Sequence, residues 1–221
     1  MHLIRHVIWD WNGTLLNDAE HALKALNRSL CARDLPALTL ERYREIYEHP
    51  VRLIYERAGV DLSKESLSVL TDEWHVQYTA GLDEVELHED ALATLQLLRE
   101  EQVTQTILST LPHDLLGESV RKRGIGQFFA RIQGLDDRLA RSKAPNGLAL
   151  LSQVGASPAS TIMIGDSSHD AEVAELIGAQ CILVARGLES EERLKRHGLP
   201  VCRNFEQAVR TFLTETPRTR E

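Results

Sequence analysis

Short apolar segments alternate with longer amphipathic segments along most of this chain, and this alternation limits its possible folds more than any other feature. Strands are predicted at residues 3–10, 103–109, 129–133, 161–165, 180–184 and 200–203. Helices are predicted at residues 89–101, 114–122, 145–154, 170–177, 190–197 and 205–214. Several strand segments are apolar throughout, as in strands buried on both faces of a parallel sheet. The pattern predicts an α/β fold, a doubly wound parallel sheet with helices on both faces.

One segment breaks the alternation, because residues 18–83 are predicted to hold successive helices and no strand. Its apolar residues recur at helical spacing in three stripes: Ala22, Leu23, Leu26 and Leu30; Tyr43, Ile46 and Tyr47; and Val69, Leu70, Trp74 and Tyr78. Turn-forming residues at 34–36, 49–50 and 59–63 separate the stripes. We therefore expect an α/β core made of residues 1–17 and 84–221, with an inserted α-helical domain of residues 18–83.

Composition and charge exclude several classes of function. The 221 residues carry a net charge of −8, and such a surface repels nucleic acid, whose binding depends on neutralising phosphates. No apolar run approaches the ~20 residues of a membrane span, and the first residues show no signal-peptide pattern. The three cysteines have no metal-binding or redox spacing. We expect a cytoplasmic protein that binds neither nucleic acid nor membrane, while its oligomeric state stays open.

Polar residues follow the predicted strands, at the edge where an open parallel sheet binds ligands. The first strand runs into residues 10–14 (DWNGT), the second ends at residues 109–110 (ST), and a later one runs into residues 165–170 (GDSSHD). Lys143 precedes the helix that Pro145 opens. A carboxylate directly after an apolar strand, such as Asp10, is costly to place unless a cation meets it. We predict that these segments share one site.

The four segments, in this order and with a helical insertion after the first, resemble the haloacid dehalogenase superfamily. The resemblance is to its phosphatases with a helical cap, of the phosphoglycolate phosphatase type. It implies a Rossmann-like core and Mg²⁺-dependent hydrolysis of a small phosphorylated metabolite, a phosphate monoester, through an aspartyl-phosphate on Asp10. The implied Mg²⁺ ligands are Asp10, the backbone carbonyl of Asn12, Asp166 and, directly or through water, Asp170.

The same resemblance assigns the phosphate contacts. Attack by a carboxylate on a dianionic phosphoryl group requires cations, because each pair of like charges ~3 Å apart costs about 5 kcal/mol at an effective dielectric of 20. Lys143 would supply a fixed positive charge, and Ser109 a hydroxyl donor. Gly13 would allow a sharp turn that Thr14 holds by a local bond. The predicted phosphate-binding residues are Trp11, Asn12, Gly13, Ser109, Thr110 and Lys143.

Asn12 departs from the family's pattern, in which a second aspartate at this catalytic position serves as general acid and base. An amide cannot serve as a proton donor or acceptor in acid–base catalysis at neutral pH, and losing this catalysis raises the barrier by roughly 3–5 kcal/mol. Four explanations stay open. The substrate has a good leaving group, such as an acyl or aryl phosphate; His113 or His169 carries the proton; the protein binds Mg²⁺ and phosphorylated ligands with little turnover; or Asn12 deamidates beside Gly13.

Two other chemistries of the superfamily also lack the second aspartate. Dehalogenases use no Mg²⁺ and have no need of Asp166 and Asp170, which argues against dehalogenation. Phosphonatases use a cap lysine, so Lys24 and Lys64 keep that alternative open. In the helical insertion, the candidates to face the substrate are Arg44, Tyr47, His49, Arg52 and Tyr55, and the residues expected to couple closure to the site are Trp11 and Leu16.

Overall fold

The architecture comes from a computed structural model that describes residues 3–136 and 142–213. The described strands are β1 (His6–Trp9), β2 (Thr104–Pro112), β3 (Arg131–Leu135), β4 (Thr161–Gly165), β5 (Gln180–Val184) and β6 (Val201–Cys202). They form one parallel sheet in the order β3-β2-β1-β4-β5-β6. The order reverses between β1 and β4, and such a switch point opens a crevice at the carboxyl edge of the sheet. The predicted doubly wound α/β fold is confirmed.

Helices connect these strands and cover both faces of the sheet. They are α1 (Ala19–Cys31), α2 (Leu40–Ile46), α3 (Arg52–Arg57), α4 (Leu67–Thr79), α5 (Ala91–Glu100), α6 (His113–Lys122), α7 (Ala144–Val154), α8 (Ser168–Ile177), α9 (Glu191–Lys195) and α10 (Phe205–Leu213). Residue 214, the predicted end of the last helix, lies outside the described residues. Within residues 3–136 and 142–213, no helix is long and apolar enough to cross a bilayer.

Most predicted boundaries agree with the structure within two residues, and the largest differences, of three residues each, are at the start of β1 and the end of β2. Strand β2 continues to Pro112, three residues past its predicted end at 109. Its register against β3 shifts between Leu108 and Pro112, which keeps the chain extended through an irregular stretch. Pro112 is tolerated because it stands at the strand's end, where its missing N–H removes no ladder bond.

Helices α1 to α4 follow β1 without an intervening strand, as predicted, and two of their three predicted apolar stripes are buried. In α4 the assignment of Val69 is wrong, because its side chain is 49% exposed. Leu70 and Tyr78 face inward at a spacing of two turns, and Thr71 and His75 complete the buried face. Residue 69 points away from that face, since each helical position turns the side chain by about 100°.

The chain enters and leaves the helical segment through two linkers that lie side by side. The Asn17 N–H donates to Glu86 O at 3.0 Å, and the His88 N–H donates to Leu15 O at 3.0 Å. Leu16 pairs with Leu87 in the same antiparallel arrangement. The division of the chain into domains at residues 18 and 83 stays a prediction, and these paired linkers lie close to both predicted boundaries.

Candidate active site

Three aspartates from distant parts of the chain meet at the switch point of the sheet. Asp10 follows β1, Asp166 follows β4, and Asp170 lies in the first turn of α8. One carboxylate oxygen of each lies within 4.8 Å of the others, and all three side chains are buried. The parallel order explains the meeting, because β1 and β4 are neighbours and their carboxyl ends share one edge. The metal-binding role of these residues stays a prediction.

Lys143 places a buried ammonium group against two of these carboxylates. The residue directly precedes α7 and is 1% exposed. Its Nζ donates to the carboxylate of Asp10, lies 2.7 Å from Asp170 Oδ1, and donates to Leu108 O at 3.0 Å. Burial alone would lower the pKa of Lys143, but the charges of Asp10 and Asp170 raise it above its usual range. The ammonium group therefore stays charged beside the proposed nucleophile.

Burial is the largest single influence on the pKa of each of the three acids, and the charges around each acid add to or oppose that effect. Burial raises the pKa of Asp10 to about 7, and repulsion from Asp170 adds to the rise while Lys143 opposes it. Burial, together with repulsion from Asp10 and Asp170, raises the pKa of Asp166 well above its ordinary value. Burial would also raise the pKa of Asp170, yet Lys143 and the Ser167 hydroxyl lower it. The cluster is an oxygen-rich site with an excess of negative charge.

Two loops pack tightly around the carboxylate of Asp166 and donate hydrogen bonds to both of its oxygens. Oδ1 accepts from the Thr14 hydroxyl at 2.7 Å, and Oδ2 accepts from the Leu188 N–H at 2.6 Å. A Cβ at Gly13 or Gly187 would overlap this carboxylate, and Gly13 has a φ of +74° that L side chains rarely adopt. Thr14 was expected to hold the turn by a local bond, but its hydroxyl bonds across the site to Asp166. The sequence shows the glycines and the threonine, and only the fold shows their target.

Asp170 caps α8 and faces the site at the same time. Its Oδ2 accepts from the Ser167 N–H at 3.0 Å, the Ser167 hydroxyl at 2.7 Å and the Asp166 N–H at 3.1 Å. Its Oδ1 is left to face Lys143. A side chain at Gly165 would overlap the Asp170 carboxyl, so this last position of β4 has room only for glycine. The helix cap thus fixes the rotamer that the site needs.

The side chain of Asn12 is held by a carboxylate that the sequence analysis missed. Asn12 Nδ2 donates to Asp18 Oδ2 at 2.7 Å and to the Tyr78 hydroxyl at 2.6 Å. The Tyr78 hydroxyl donates to the same Asp18 oxygen at 2.7 Å, and the Gly13 N–H donates to Asp18 Oδ1 at 2.6 Å. Burial raises the pKa of Asp18. From sequence, Asp18 is typical of a residue that precedes a helix, and its contact with Tyr78, 60 residues away, leaves no local signal.

The remaining predicted phosphate contacts surround Asp10 and Asn12. Ser109 is fully buried, donates towards Asn12 Oδ1 at 3.5 Å and accepts from the Leu111 N–H at 3.0 Å. The Trp11 N–H bonds to the Asp10 carboxylate. The Gly13 N–H is occupied by Asp18, so in this structure Gly13 contributes its turn to the site. The roles of these residues in phosphate binding stay predictions.

A cavity of about 90 Å³ separates the sheet edge from helices α1 to α4. Asn12, Thr110 and Leu188 line its core side. Of the candidates named from the helical insertion, Tyr47, His49 and Tyr55 line it, whereas Arg44 and Arg52 do not. The Arg44 Nε donates to Gly187 O at 2.8 Å, and Arg52 pairs with Glu56 on the surface. The two arginines therefore have structural partners away from the cavity.

The two histidines considered as proton carriers lie at different places. His113 begins α6, and its Nδ1 accepts from the Gly134 N–H at 3.3 Å, on the β3 side of the site. His169 is buried in α8 and stacks on His49 with ring centroids 4.6 Å apart. His169 therefore joins the core to the helical segment beside the acidic cluster. Neither histidine lines the cavity.

Comparison with known proteins agrees with this geometry. The sequence model of the family described as haloacid dehalogenase-like hydrolase matches residues 7–184. A phosphoglycolate phosphatase of Pseudomonas putida is 25% identical over 210 residues, which are 90% of this chain and 73% of that protein. Pyrophosphatase PpaX of Bacillus pumilus is 25% identical over 195 residues, covering 88% of this chain and 89% of its own. The crystal structure of a predicted phosphatase from Clostridium acetobutylicum shares the fold with a TM-score of 0.83 and 21% identity, covering 96% and 100% of the two chains.

Proposed function

The chain belongs to the haloacid dehalogenase-like hydrolases, and from that premise we propose that it is a Mg²⁺-dependent phosphatase of small phosphate monoesters. In this proposal the reaction passes through an aspartyl-phosphate on Asp10. The observation that carries it is the buried cluster of Asp10, Asp166 and Asp170 with Lys143 against it. The names of the phosphatase relatives support the same reaction class. The three cysteines are free thiols, which supports a reducing, cytoplasmic location.

The donor atoms fit Mg²⁺, a hard cation that takes oxygen ligands. Asp10, the Asn12 carbonyl, Asp166 and Asp170 would hold it, and its charge would offset the burial and the repulsion between carboxylates that raise the pKa of Asp10 and Asp166. When bound, Mg²⁺ neutralises charge on the phosphoryl oxygens and lowers the repulsion that the nucleophile meets. The tight packing around Asp166 supports this assignment. The two loops hold its carboxylate in one position by neutral hydrogen-bond donors, and neither bond comes from a cationic side chain.

The chain's own residues supply the covalent steps. A carboxylate oxygen of Asp10 forms a bond to phosphorus while the bond from phosphorus to the alcohol oxygen breaks and its electron pair leaves with that oxygen. Lys143 holds the Asp10 carboxylate by a hydrogen bond and keeps a positive charge beside the transferred group. Water then attacks phosphorus, the bond to Asp10 breaks, and inorganic phosphate and the free carboxylate result. We propose residues 18–83 as the cap that excludes bulk water during these steps.

Asn12 favours a second candidate, a protein that binds Mg²⁺ and phosphorylated ligands with little turnover. Both N–H groups of its amide are engaged, with Asp18 and Tyr78 as acceptors, and an amide cannot act as a general acid or base at neutral pH. A phosphonatase receives no such support, because Lys24 and Lys64 do not line the cavity and Lys64 pairs with Asp61 on the surface.

Phosphate release from acetyl phosphate and p-nitrophenyl phosphate, with and without Mg²⁺, tests the proposal. We expect turnover by the wild type that Asp10→Asn abolishes, while Glu20→Gln, on an exposed position of α1, keeps it. An inactive wild type together with an active Asn12→Asp variant would establish the binding-protein alternative instead. Wild-type activity that survives Asp10→Asn would reject the proposed nucleophile.

A further inference from the structure

The cavity beside the acidic cluster has a lining that is mainly apolar and aromatic. The helical segment contributes Leu26, Tyr43, Tyr47, Ile54, Tyr55 and Trp74 to its walls. The cavity reaches Asn12 and Thr110 on the core side, next to the carboxyl ends of β1 and β2. Asp10 itself does not line the cavity, but Asn12 follows it by two residues, and we infer that the leaving group of a phosphoryl group at Asp10 enters this cavity. Its volume of about 90 Å³ is of the same order as the roughly 150 Å³ of an engineered apolar cavity that binds benzene.

Among the described residues, no lysine or arginine lines this cavity, its one carboxylate is that of Asp18, and its histidines are His49 and His75. The partly buried arginines of the helical segment are engaged elsewhere. Arg33 pairs with Glu65 and Glu73, with its Nη1 2.8 Å from the latter. Arg44 donates to the backbone carbonyls of residues 186 and 187. A negatively charged leaving group would thus enter a space that holds a buried carboxylate and no lysine or arginine to pair with it.

Burying an isolated carboxylate without a partner is strongly unfavourable. A substrate such as 2-phosphoglycolate, whose leaving group carries a carboxylate, meets that cost in this cavity. An uncharged ring has no such cost and gains contact with the aromatic walls. The lining therefore selects against a charged leaving group and for an uncharged, apolar one.

The amide of Asn12 adds a second, independent requirement. Its Nδ2 donates to Asp18 and Tyr78, so the oxygen Oδ1 is what it presents on the side of Ser109. An acceptor there cannot protonate a departing oxygen. The leaving group must then depart as a stable anion, and a phenol with a pKa near 10 does so far more readily than an alkyl alcohol.

Resting on the proposed phosphatase function, we propose that the substrates are aryl phosphates whose leaving group is an uncharged, single-ring phenol. Asp10 bonds to phosphorus, the bond from phosphorus to the aryl oxygen breaks, and the phenolate leaves with the electron pair and takes a proton from solvent. Water hydrolyses the aspartyl-phosphate in the second step. The phenol ring occupies the cavity between α1 and α4 throughout the first step.

Relative kcat/KM values for phenyl phosphate and 2-phosphoglycolate test this assignment, with Mg²⁺ present. We expect phenyl phosphate to be preferred by roughly 100-fold or more. Equal use of the two esters, or a preference for 2-phosphoglycolate, would overturn the proposal. Acetyl phosphate, whose small acyl group does not depend on the cavity, reports on the catalytic core separately.

Binding of inert analogues separates a failure of this inference from a failure of the proposed reaction. Benzylphosphonate replaces the bridging oxygen of phenyl phosphate by a methylene group, and 3-phosphonopropanoate does the same for 2-phosphoglycolate. With Mg²⁺, benzylphosphonate should raise the melting temperature of the protein more than 3-phosphonopropanoate at equal concentration. If acetyl phosphate is not hydrolysed but this order holds, the phosphatase function fails and the cavity's selectivity stands. The reverse order overturns the selectivity.

A variant that adds a positive charge at the edge of the cavity tests the electrostatic argument directly. Val51 lines the cavity and is partly exposed, so a lysine there can keep its ammonium group near water. Val51→Lys should lower the preference for phenyl phosphate over 2-phosphoglycolate by about 10-fold relative to Val51→Met, which has a similar length and no charge. Val76→Lys, at a 62% exposed position of α4 outside the cavity, should keep the wild-type preference. An unchanged preference in a folded Val51→Lys variant would contradict the electrostatic argument.

Discussion

Asn12 fixes the orientation of its own amide through the two groups that accept from it. Its Nδ2 lies 2.7 Å from Asp18 Oδ2 and 2.6 Å from the Tyr78 hydroxyl. A flipped amide would turn its oxygen towards the Asp18 carboxylate, an unfavourable contact between two acceptors. The site therefore has an acceptor where a proton donor is expected in the phosphatases that it resembles.

Asn12→Asp should convert this residue pair into a proton source. Two carboxylates at the distance that now separates Asn12 and Asp18 retain one proton between them near neutral pH, because both cannot ionise. We expect kcat/KM for an alkyl ester such as butyl phosphate to rise about 10²–10⁴-fold, and that for phenyl phosphate to rise much less. Steady-state phosphate release for both esters measures the difference.

The double variant Asn12→Asp/Asp18→Asn is the control, because it keeps one amide and one carboxylate in the pair and so removes the shared proton. Its gain on butyl phosphate at neutral pH should be smaller than that of the single variant. An equal rise for alkyl and aryl esters would contradict the view that protonation of the leaving group limits the wild type.

His6 makes the stability of the sheet depend on pH. The ring belongs to the first residue of β1 and is 1% exposed, and its nitrogens lie 2.9 Å from Thr106 Oγ1 and 3.2 Å from Thr161 Oγ1. Burial lowers the pKa of His6 from 6.5 to about 4. The unfolded chain therefore binds more protons than the folded chain between these two values. The stability contributed by the neutral ring is present above pH 6.5 and is lost as the pH falls towards 4.

We expect His6→Gln to flatten the pH dependence of the free energy of unfolding between pH 7 and pH 5. Protonation of His6 in the unfolded chain makes the wild type about 2 kcal/mol less stable at pH 5 than at pH 7, at 1.36 kcal/mol per pKa unit. Urea unfolding at the two pH values measures the slope. His197→Gln, at an exposed position, should keep the wild-type slope, and the same slope in His6→Gln would show that His6 is not its source.

Hydrogen bonds connect helix α2 to the segment that follows β5. Arg44 donates from α2 to Gly187 O, and the Ser190 N–H donates back to Arg44 O at 3.2 Å. Arg193 of α9 donates to Glu45 O at 2.8 Å and pairs with Glu48 at 3.2 Å. Leu188, in the same segment, donates its N–H to Asp166. The segment that binds α2 therefore also contacts the acidic cluster.

Arg193→Ala should loosen the helical segment without unfolding the core. We expect faster amide hydrogen exchange in residues 40–49, because the bonds from Arg193 to the chain at residues 45–48 are lost. Arg196→Ala is the matched control, since Arg196 is exposed and pairs only with Glu192 of its own helix in the described part of the chain. Unchanged exchange at residues 40–49 would show that Arg193 does not hold α2.

Across the whole molecule, the site exists only where separate parts of the chain converge. Asp10 and Asp166 are brought together by strand order, Lys143 by the start of α7, and Leu188 by the chain after β5. The fold places three buried carboxylates beside one ammonium, and we expect this arrangement to bind a divalent cation more tightly than the unfolded chain does. On the proposed function, we therefore expect Mg²⁺ to stabilise the folded state.

Mg²⁺ should raise the melting temperature of the wild type, and chelation should reverse the rise. A ligand that binds only the folded state stabilises it by about 2.7 kcal/mol at 100 times its Kd. We expect Asp166→Asn to lose most of this stabilisation, whereas Asp114→Asn, at an exposed position in α6, keeps it. Calorimetry with and without Mg²⁺ tests the expectation, and an equal rise in Asp166→Asn would remove Asp166 from the ligand set.

The sequence alone determined the fold class and the residues that meet at the sheet edge. Apolar strands such as residues 161–165 and 180–184 were predicted with their observed bounds, because burial on both faces leaves a continuous apolar run. Asp10 stood out because a carboxylate directly after a buried strand is costly without a partner, whereas Asp166, Asp170 and Lys143 were predicted from their places after a strand or before a helix and from the family resemblance. These patterns involve residues that are close together in the chain, so they can be recognised from the sequence.

Only the tertiary structure decided which groups complete the site. The contacts of Asn12 with Asp18 and Tyr78, the target of the Thr14 hydroxyl, and the outward turn of Val69 join or separate residues through packing between elements. A hydrogen bond across 60 or 152 residues leaves no periodic pattern in the sequence. The charge of the cavity follows the same principle, since an arginine in the sequence becomes a ligand for substrate or for a backbone carbonyl only when the fold places it.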